Sequence, residues 1–172
     1  HVASVGALIP RKGHDIVIEA VARLPGVSLG IAGDGPERAR LQATIDRLGV
    51  GDRIALLGPV PHTELPALIA AADVMALASS SEGLANAWIE ALACGTPIVI
   101  PDAGGAREVM TEDVYGRIAA REAGAFTQAI RDVLDNPPPQ AATRRGAERF
   151  TWTANTAALY SHLNGLASAR KE

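Results

Sequence analysis

Short apolar runs alternate along the chain with segments whose apolar residues recur at helical spacing. Runs of this kind, bounded by glycine, proline or charged residues, are typical of strands in a sheet that is covered on both faces. The pattern predicts strands over residues 2–6, 27–32, 54–57, 74–77, 98–100 and 116–119.

The segments between these runs carry apolar stripes with helical periodicity, for example Leu41, Ile45 and Leu48. A regular strand–helix alternation predicts a parallel sheet with right-handed crossovers. We therefore expect an α/β fold, a Rossmann-like parallel sheet of about six strands with helices on both faces. The other stripes are Ile16, Val17, Ala20, Val21 and Leu24; Leu65, Leu68, Ile69 and Ala72; and Phe126, Ile130, Val133 and Leu134.

The pattern changes at Asn136, where three consecutive prolines stop the preceding helix. Two helices without an intervening strand are predicted beyond it, over residues 141–150 and 153–169. We divide the chain accordingly into a Rossmann-like domain over 1–136 and C-terminal helices over 137–172. The chain begins with His1 directly before the first strand, and we expect it to be part of a longer protein.

Composition excludes several classes of function. Sixteen Lys and Arg against nineteen Asp and Glu give a net charge of −3, and only 3% of residues are aromatic, so nucleic acid is not an expected partner. The single cysteine, Cys94, excludes an intramolecular disulfide. No apolar stretch has the length of a membrane span, and a secretory signal is not evident. We predict a cytoplasmic location.

Ligands of open parallel sheets bind at the loops that follow the strands. The residues of the chain that are unusual for a buried sheet domain lie in these loops, which predicts a binding cleft there. The loops cover residues 6–13, 33–36, 58–62, 79–86 and 102–108.

The strongest chemical signal follows the fourth strand. A helix starting near Leu84 would place Glu82, Asn86 and Glu90 in one polar line, and its N-terminus would offer N–H groups to an anion. The alternative is a solvated stripe with Ser81 as the helix cap. The spacing alone leaves both interpretations open.

Two other loops carry weaker signals. Arg11 and Lys12 stand beside a helix start, where they could hold phosphate or form a solvated basic pair. The turn from Gly33 begins like a dinucleotide fingerprint, but Arg38 occupies the position of its third glycine, which disfavours a dehydrogenase. The four histidines lack metal-ligand spacing, so no metal site is predicted. The sequence also lacks the nucleophile elbow that is typical of serine hydrolases.

Taken together, these loops resemble the C-terminal, nucleotide-sugar-binding domain of the family 4 retaining glycosyltransferases, which have the GT-B fold. The resemblance runs from about Val5 to Asn136 and rests on five motifs in the same order. They are Pro10-Arg11-Lys12-Gly13; Gly33-Asp34-Gly35-Pro36; Gly58-x-Val60-Pro61; Glu82-x7-Glu90 within a segment ending Gly95-Thr96-Pro97; and Gly104-Gly105-x-x-Glu108.

The resemblance implies a role for each matching residue. Arg11 and Lys12 would neutralise the diphosphate leaving group, Glu82 would face the donor sugar, and Glu90 would hold the ribose hydroxyls. The remaining donor-site positions implied are Gly6, Gly33, Val60 beside the nucleobase, and the backbone of Gly83, Leu84, Ala85 and Asn86 near the sugar and diphosphate. Ala7 departs from the family, which often has arginine there, so Arg11 and Lys12 are the basic residues that the resemblance leaves for the diphosphate.

The resemblance also implies a donor such as a UDP- or GDP-sugar, with no metal or other cofactor. The acceptor, a glycan or glycolipid in polysaccharide or glycolipid biosynthesis, would bind an N-terminal domain that this chain lacks. The helix over 153–169 would cross back to that domain, and any association with the inner membrane face would depend on it. We therefore expect this chain not to transfer sugar by itself.

Two other classes of function are compatible with an α/β fold. A nucleotide-sugar epimerase or a phosphorylase would use the same fold, but an epimerase is not expected to combine these motifs, and the lysine that binds a phosphorylase cofactor cannot be located. A non-catalytic α/β module of the receiver type would need clustered aspartates after its first strand, where this chain has none.

Overall fold

The computed structural model describes residues 1–169, which contain one six-stranded sheet. All its neighbouring strands pair in parallel, in the order β3-β2-β1-β4-β5-β6. The strands are β1 (Val2–Val5), β2 (Leu29–Ala32), β3 (Ile54–Gly58), β4 (Val74–Ala76), β5 (Ile98–Ile100) and β6 (Gly116–Ile118). The helices are α1 (His14–Ala22), α2 (Arg38–Leu48), α3 (Leu65–Ala70), α4 (Asn86–Ala93), α5 (Ala106–Val109), α6 (Ala123–Asp135), α7 (Gln140–Arg144) and α8 (Trp152–Ala169).

The strands separate two buried apolar clusters, because successive side chains of a strand point to opposite faces. In β5, Val99 joins the cluster under α1, α2 and α6, whereas Ile98 and Ile100 join the cluster under α3, α4 and α5. Trp88 and Phe126, both completely buried, are the largest side chains of the two clusters. The predicted α/β sheet of six strands with helices on both faces is confirmed.

Two predicted helices were wrong in detail. The helix after β4 begins at Asn86 rather than near Leu84. The segment 141–150 is not one helix, because α7 ends at Arg144 and a single 3₁₀ turn, Arg145–Ala147, follows it. The stop at Asn136 is confirmed, since α6 ends at Asp135.

The C-terminal residues fall into two parts. The segment around α7 packs on the sheet domain, where the Thr143 hydroxyl donates to the Val114 carbonyl at 3.0 Å and Gly146 lies against Leu92 and Tyr115. The helix α8 is solvent-exposed along residues 152–166 and carries most of the exposed large apolar side chains of the described chain. They are Trp152, Leu159, Tyr160, Leu163 and Leu166. Residues 170–172 of the predicted C-terminal segment lie outside the described residues. Within the described residues, no helix combines the length and apolarity that a bilayer span requires.

Candidate functional site

The strand order creates a crevice between β1 and β4. The helix that follows β1 packs on one face of the sheet and the helix that follows β4 packs on the other, so the two connecting loops diverge at the carboxyl edge. This is the position at which doubly wound α/β proteins bind ligands. The loop after β1 carries Arg11 and Lys12, and the loop after β4 carries Glu82.

These three charged residues form a cluster across the crevice. The Lys12 ammonium donates to Glu82 Oε1 at 2.6 Å, and Arg11 Nη1 lies 3.4 Å from Glu82 Oε2. Arg11 Nη1 also donates to the Ser81 carbonyl at 2.5 Å. The Glu82 side chain is only 8% exposed, whereas that of Arg11 is 46% exposed.

The cluster determines the ionisation of Glu82. Burial acts to raise the pKa of this carboxyl, but the hydrogen bond from Lys12 and the charges of Lys12 and Arg11 outweigh it, so the pKa of Glu82 is lowered. Glu82 is therefore a carboxylate at neutral pH, and it neutralises cations at the mouth of the crevice.

The position of Glu82 corrects the predicted helical line. Glu82 precedes the first helical residue of α4 by four positions and lies in a loop, so only Asn86 and Glu90 share a helix face. The loop persists because Ala85 is extended, with φ −73° and ψ 121°, and because the Gly83 carbonyl accepts from the Gly105 amide at 2.8 Å.

The glycine turn after β5 supports this loop from the far side. Gly104 has φ +55°, and a Cβ there would lie 1.7 Å from the Glu82 carbonyl oxygen. Only glycine permits this approach. The Gly104-Gly105 motif thus packs against the backbone that carries Glu82.

Gly6 and Gly33 are neighbours at the same edge. A Cβ on Gly33 would lie 1.9 Å from the Gly6 carbonyl oxygen, and the Gly33 amide donates to the Gly58 carbonyl at 2.8 Å. Close packing of the loops explains the glycine at position 33. Their predicted contact with a donor stays a prediction.

The N-terminus of α4 opens beside the charged cluster. No side chain caps it, so its first N–H groups keep their hydrogen-bonding capacity. Ala85 is buried at the cap position, whereas Gly83, Leu84 and Asn86 are exposed around it. The predicted backbone positions 83–86 therefore surround an open helix end.

Glu90 lies one helical turn further along α4 and is 36% exposed at its side chain. His62, which follows Val60 in the loop after β3, places Nε2 3.4 Å from Glu90 Oε1. The sequence pattern places His62 in the loop 58–62, which is predicted to border a ligand, but it does not indicate this contact with Glu90. Val60 is half-buried against the apolar cluster that contains Trp88.

A cavity of about 250 Å³ opens beside Glu90. Its lining is almost entirely apolar apart from the Glu90 carboxylate and the His62 ring, which favours a flat, weakly polar ligand group next to a hydrogen-bonding carboxylate. The lining residues are His62, Leu65, Pro66, Ile69, Glu90, Ala93 and Cys94.

A second missed residue is Arg121, in the loop after β6. Its guanidinium donates to the Ala78 carbonyl at 2.8 Å and to the Pro10 carbonyl at 3.3 Å. No sequence motif marked it. Among residues 1–169, no three His, Cys, Asp or Glu side chains converge as metal ligands would, and the prediction of a metal-free reaction stays a prediction.

A sheet of this order, with a charged cluster and an open helix end at the reversal of its strand order, defines a Rossmann-like α/β protein of the GT-B type. Residues 1–150 match the family model of the glycosyl transferases, group 1. The chain belongs to this family.

Curated proteins and solved structures are also similar to this chain. The chain is 36% identical over 171 positions to the D-inositol 3-phosphate glycosyltransferase of Mycobacterium tuberculosis, covering 92% of this chain and 35% of that protein. The structure of HepE from Anabaena in complex with UDP is similar with a TM-score of 0.85 and 28% identity, over 95% of this chain and 48% of that one. Sucrose-phosphate synthase from Thermosynechococcus elongatus gives a TM-score of 0.84 and 27% identity, over 98% and 46%. The chain thus spans about a third of the curated relative and about half of each solved neighbour.

Proposed function

We propose that this chain binds the donor of a retaining family 4 glycosyltransferase, as its C-terminal domain, and that the donor is a UDP-sugar. The observation that carries the proposal is the cluster of Arg11, Lys12 and Glu82 at the crevice, beside the helix that presents Glu90. HepE, which has the same fold, was solved in complex with UDP and with UDP-glucose.

The cluster and the helix end suit a diphosphate. When a nucleotide leaves a sugar, negative charge develops on the diphosphate, and prepositioned cations and N–H groups stabilise that charge. Arg11 and Lys12 supply the cations, and the uncapped N-terminus of α4 supplies the N–H groups. Glu82, released in part from Lys12, then accepts hydrogen bonds from the sugar hydroxyls.

The nucleoside fits the other end of the site. Glu90 can accept hydrogen bonds from two ribose hydroxyls, and the apolar cavity of about 250 Å³ beside it takes the base. Val60, two residues before His62, packs against the apolar cluster that contains Ile69 of the cavity lining. We favour uridine because HepE, whose structure is similar over 95% of this chain, was solved in complex with UDP.

The acceptor belongs in this proposal to another part of a longer enzyme. The curated relative is about three times as long as the segment that this chain matches. We propose that the exposed apolar residues of α8, Trp152 and Leu159 among them, pack on that second domain, which binds a glycan or glycolipid acceptor. The 172-residue chain alone then binds donor without transferring a hexose, and any contact with the inner membrane face occurs through the other domain.

The test is a melting experiment with UDP, GDP, ADP and TDP, each free and sugar-linked. A ligand at 100 times its dissociation constant stabilises the fold by about 2.7 kcal/mol. We expect the largest shift with UDP, and we expect Glu90→Ala to abolish it. Glu148→Gln, at an exposed position after α7, is the matched control that keeps the wild-type shift.

Three outcomes would contradict the proposal. A larger shift with GDP than with UDP would refute uridine. No shift with any nucleotide, both in this chain and in a longer protein that contains it, would refute donor binding. Transfer of sugar to any acceptor by the 172-residue chain would refute the need for a second domain.

A further inference from the structure

The loop after β6 reaches across the carboxyl edge of the sheet through one side chain. Arg121 Nε donates to the carbonyl of Ala78, two residues after the end of β4, and Arg121 Nη2 donates to the carbonyl of Pro10, in the loop after β1. These partners lie 43 and 111 residues away in the chain. One guanidinium therefore joins both walls of the crevice.

The two carbonyls belong to the backbone that carries the charged cluster. Pro10 begins the 3₁₀ turn Pro10–Lys12, and Gly13 is the capping residue that follows it. A Cβ on Gly13 would lie 2.2 Å from the Ala78 carbonyl oxygen, so this turn packs directly on the segment after β4. The Ser80 amide donates to the Arg11 carbonyl at 2.8 Å and continues the attachment toward Glu82.

We propose that Arg121 is a positioning residue. Its two hydrogen bonds hold the turn Pro10–Lys12 at a fixed distance from the segment after β4, and this places Lys12 and Arg11 for a donor diphosphate. This inference rests on the proposed function. The planar guanidinium meets two carbonyls at once, which a lysine ammonium does not reproduce in the same geometry.

The charge of Arg121 offers a competing explanation. The side chain also borders a cavity of about 370 Å³ together with Ser79, Ser80 and Asp102, where it could meet a ligand directly. Arg121→Lys separates the two explanations, because it keeps the positive charge and removes the guanidinium that donates to both carbonyls. Arg131→Lys and Arg131→Ala, on an exposed position of α6, are matched controls.

The first measurement is the dissociation constant of UDP by calorimetry. We expect Arg121→Lys and Arg121→Ala each to raise it by about fivefold or more, since each removes hydrogen bonds made by a charged group. In a Lys12→Met background, Arg121→Lys should add much less, because both changes act through the same cation. The Arg131 variants should bind UDP like the wild type.

The second measurement needs no ligand. Amide hydrogen exchange at Ser80, which donates to Arg11, should accelerate in Arg121→Lys and stay unchanged in the Arg131 variants. Unchanged exchange at Ser80 overturns the inference whether or not UDP binds. Wild-type UDP affinity in Arg121→Lys with weaker binding in Arg121→Ala also overturns it and assigns the effect to charge. Failure of UDP to bind both the wild-type chain and a longer protein that contains it refutes the proposed function, and the exchange experiment then decides the positioning role alone.

Discussion

Lys12 and Glu82 lie 70 residues apart in the chain, yet Lys12 Nζ and Glu82 Oε1 are 2.6 Å apart across the crevice. Both side chains are largely shielded from solvent, at 16% and 8% exposure. A buried charge without its partner is costly, and the hydrogen bond and charge of Lys12 help to lower the pKa of the Glu82 carboxyl. In the ligand-free protein, Glu82 thus neutralises the cation that we propose for the donor diphosphate.

The first prediction concerns the ionisation of Glu82. Lys12→Met should raise the pKa of this carboxyl, because burial remains while its hydrogen-bonding cation is lost. Carbon-13 NMR titration of the Glu side chains measures it. Arg11→Met is the comparison, and it should raise the pKa less, since Arg11 is 3.4 Å from Glu82 and 46% exposed. An unchanged Glu82 titration in Lys12→Met would contradict the ion pair.

The second prediction concerns acid stability. His14 is 2% exposed, its Nδ1 lies 3.1 Å from Ser4 Oγ, and burial lowers its pKa from 6.5 to about 4. The unfolded chain therefore binds a proton between pH 6.5 and 4 that the folded protein does not, so stability falls as pH drops through this window. The full effect is about 3 kcal/mol.

Urea unfolding of wild type and His14→Gln at several pH values tests this. The variant should lose less stability between pH 6.5 and 4, because it removes the group that charges on unfolding. His162→Gln, at an exposed position of α8, controls for the loss of an imidazole. Parallel pH dependence of wild type and His14→Gln would show that His14 is charged in the folded protein.

The third prediction concerns a cap on α1. Arg53 Nη1 donates to the carbonyls of Val21, Leu24 and Val27 at 2.9, 3.2 and 2.7 Å, and Nη2 donates to Ala22 at 2.8 Å. Val21 and Ala22 end α1, and Leu24 and Val27 lie in the segment that follows it, where backbone carbonyls are no longer paired in the regular helical ladder. Arg53→Met should lower the free energy of unfolding by about 2–3 kcal/mol, as measured in urea.

Arg53→Lys should restore only part of the lost stability, because one ammonium cannot donate hydrogen bonds to all four carbonyls that the guanidinium contacts. Arg47→Met, at an exposed position near the end of α2, is the control and should change stability by less than about 0.5 kcal/mol. If Arg53→Lys had wild-type stability, the positive charge at the helix end would provide the stabilisation, rather than the hydrogen bonds of the guanidinium.

The fourth prediction compares two glycines with similar backbone conformation. Gly104 and Gly49 have φ of +55° and +65°, but a Cβ has no neighbour within 4 Å at Gly49 and meets the Glu82 carbonyl at 1.7 Å at Gly104. Gly49→Ala should cost about 1 kcal/mol of backbone strain. Gly104→Ala should cost more and also weaken UDP binding, because the Glu82 loop must move. Equal effects of the two changes on UDP affinity would contradict the contact.

The α/β fold could be predicted from local properties of the sequence. The period of the apolar residues and the prolines after Asn136 are local properties, and they act wherever the rest of the chain lies. They placed all six strands and ended α6 correctly. The motifs also identified the loops that border the crevice, because in a parallel sheet those loops must meet at one edge.

The detailed arrangement of the loops at that edge depends on contacts between residues that are distant in the chain. The local sequence allows a helix from Leu84, yet the bond from Gly105 to the Gly83 carbonyl and the ion pairs of Glu82 keep the segment before Asn86 as a loop. The bonds of Arg121 likewise depend on which strands are neighbours. Such contacts join residues that are tens of positions apart in the chain. They contribute to stability only after the strand order has brought those residues together, so a local sequence pattern does not predict them.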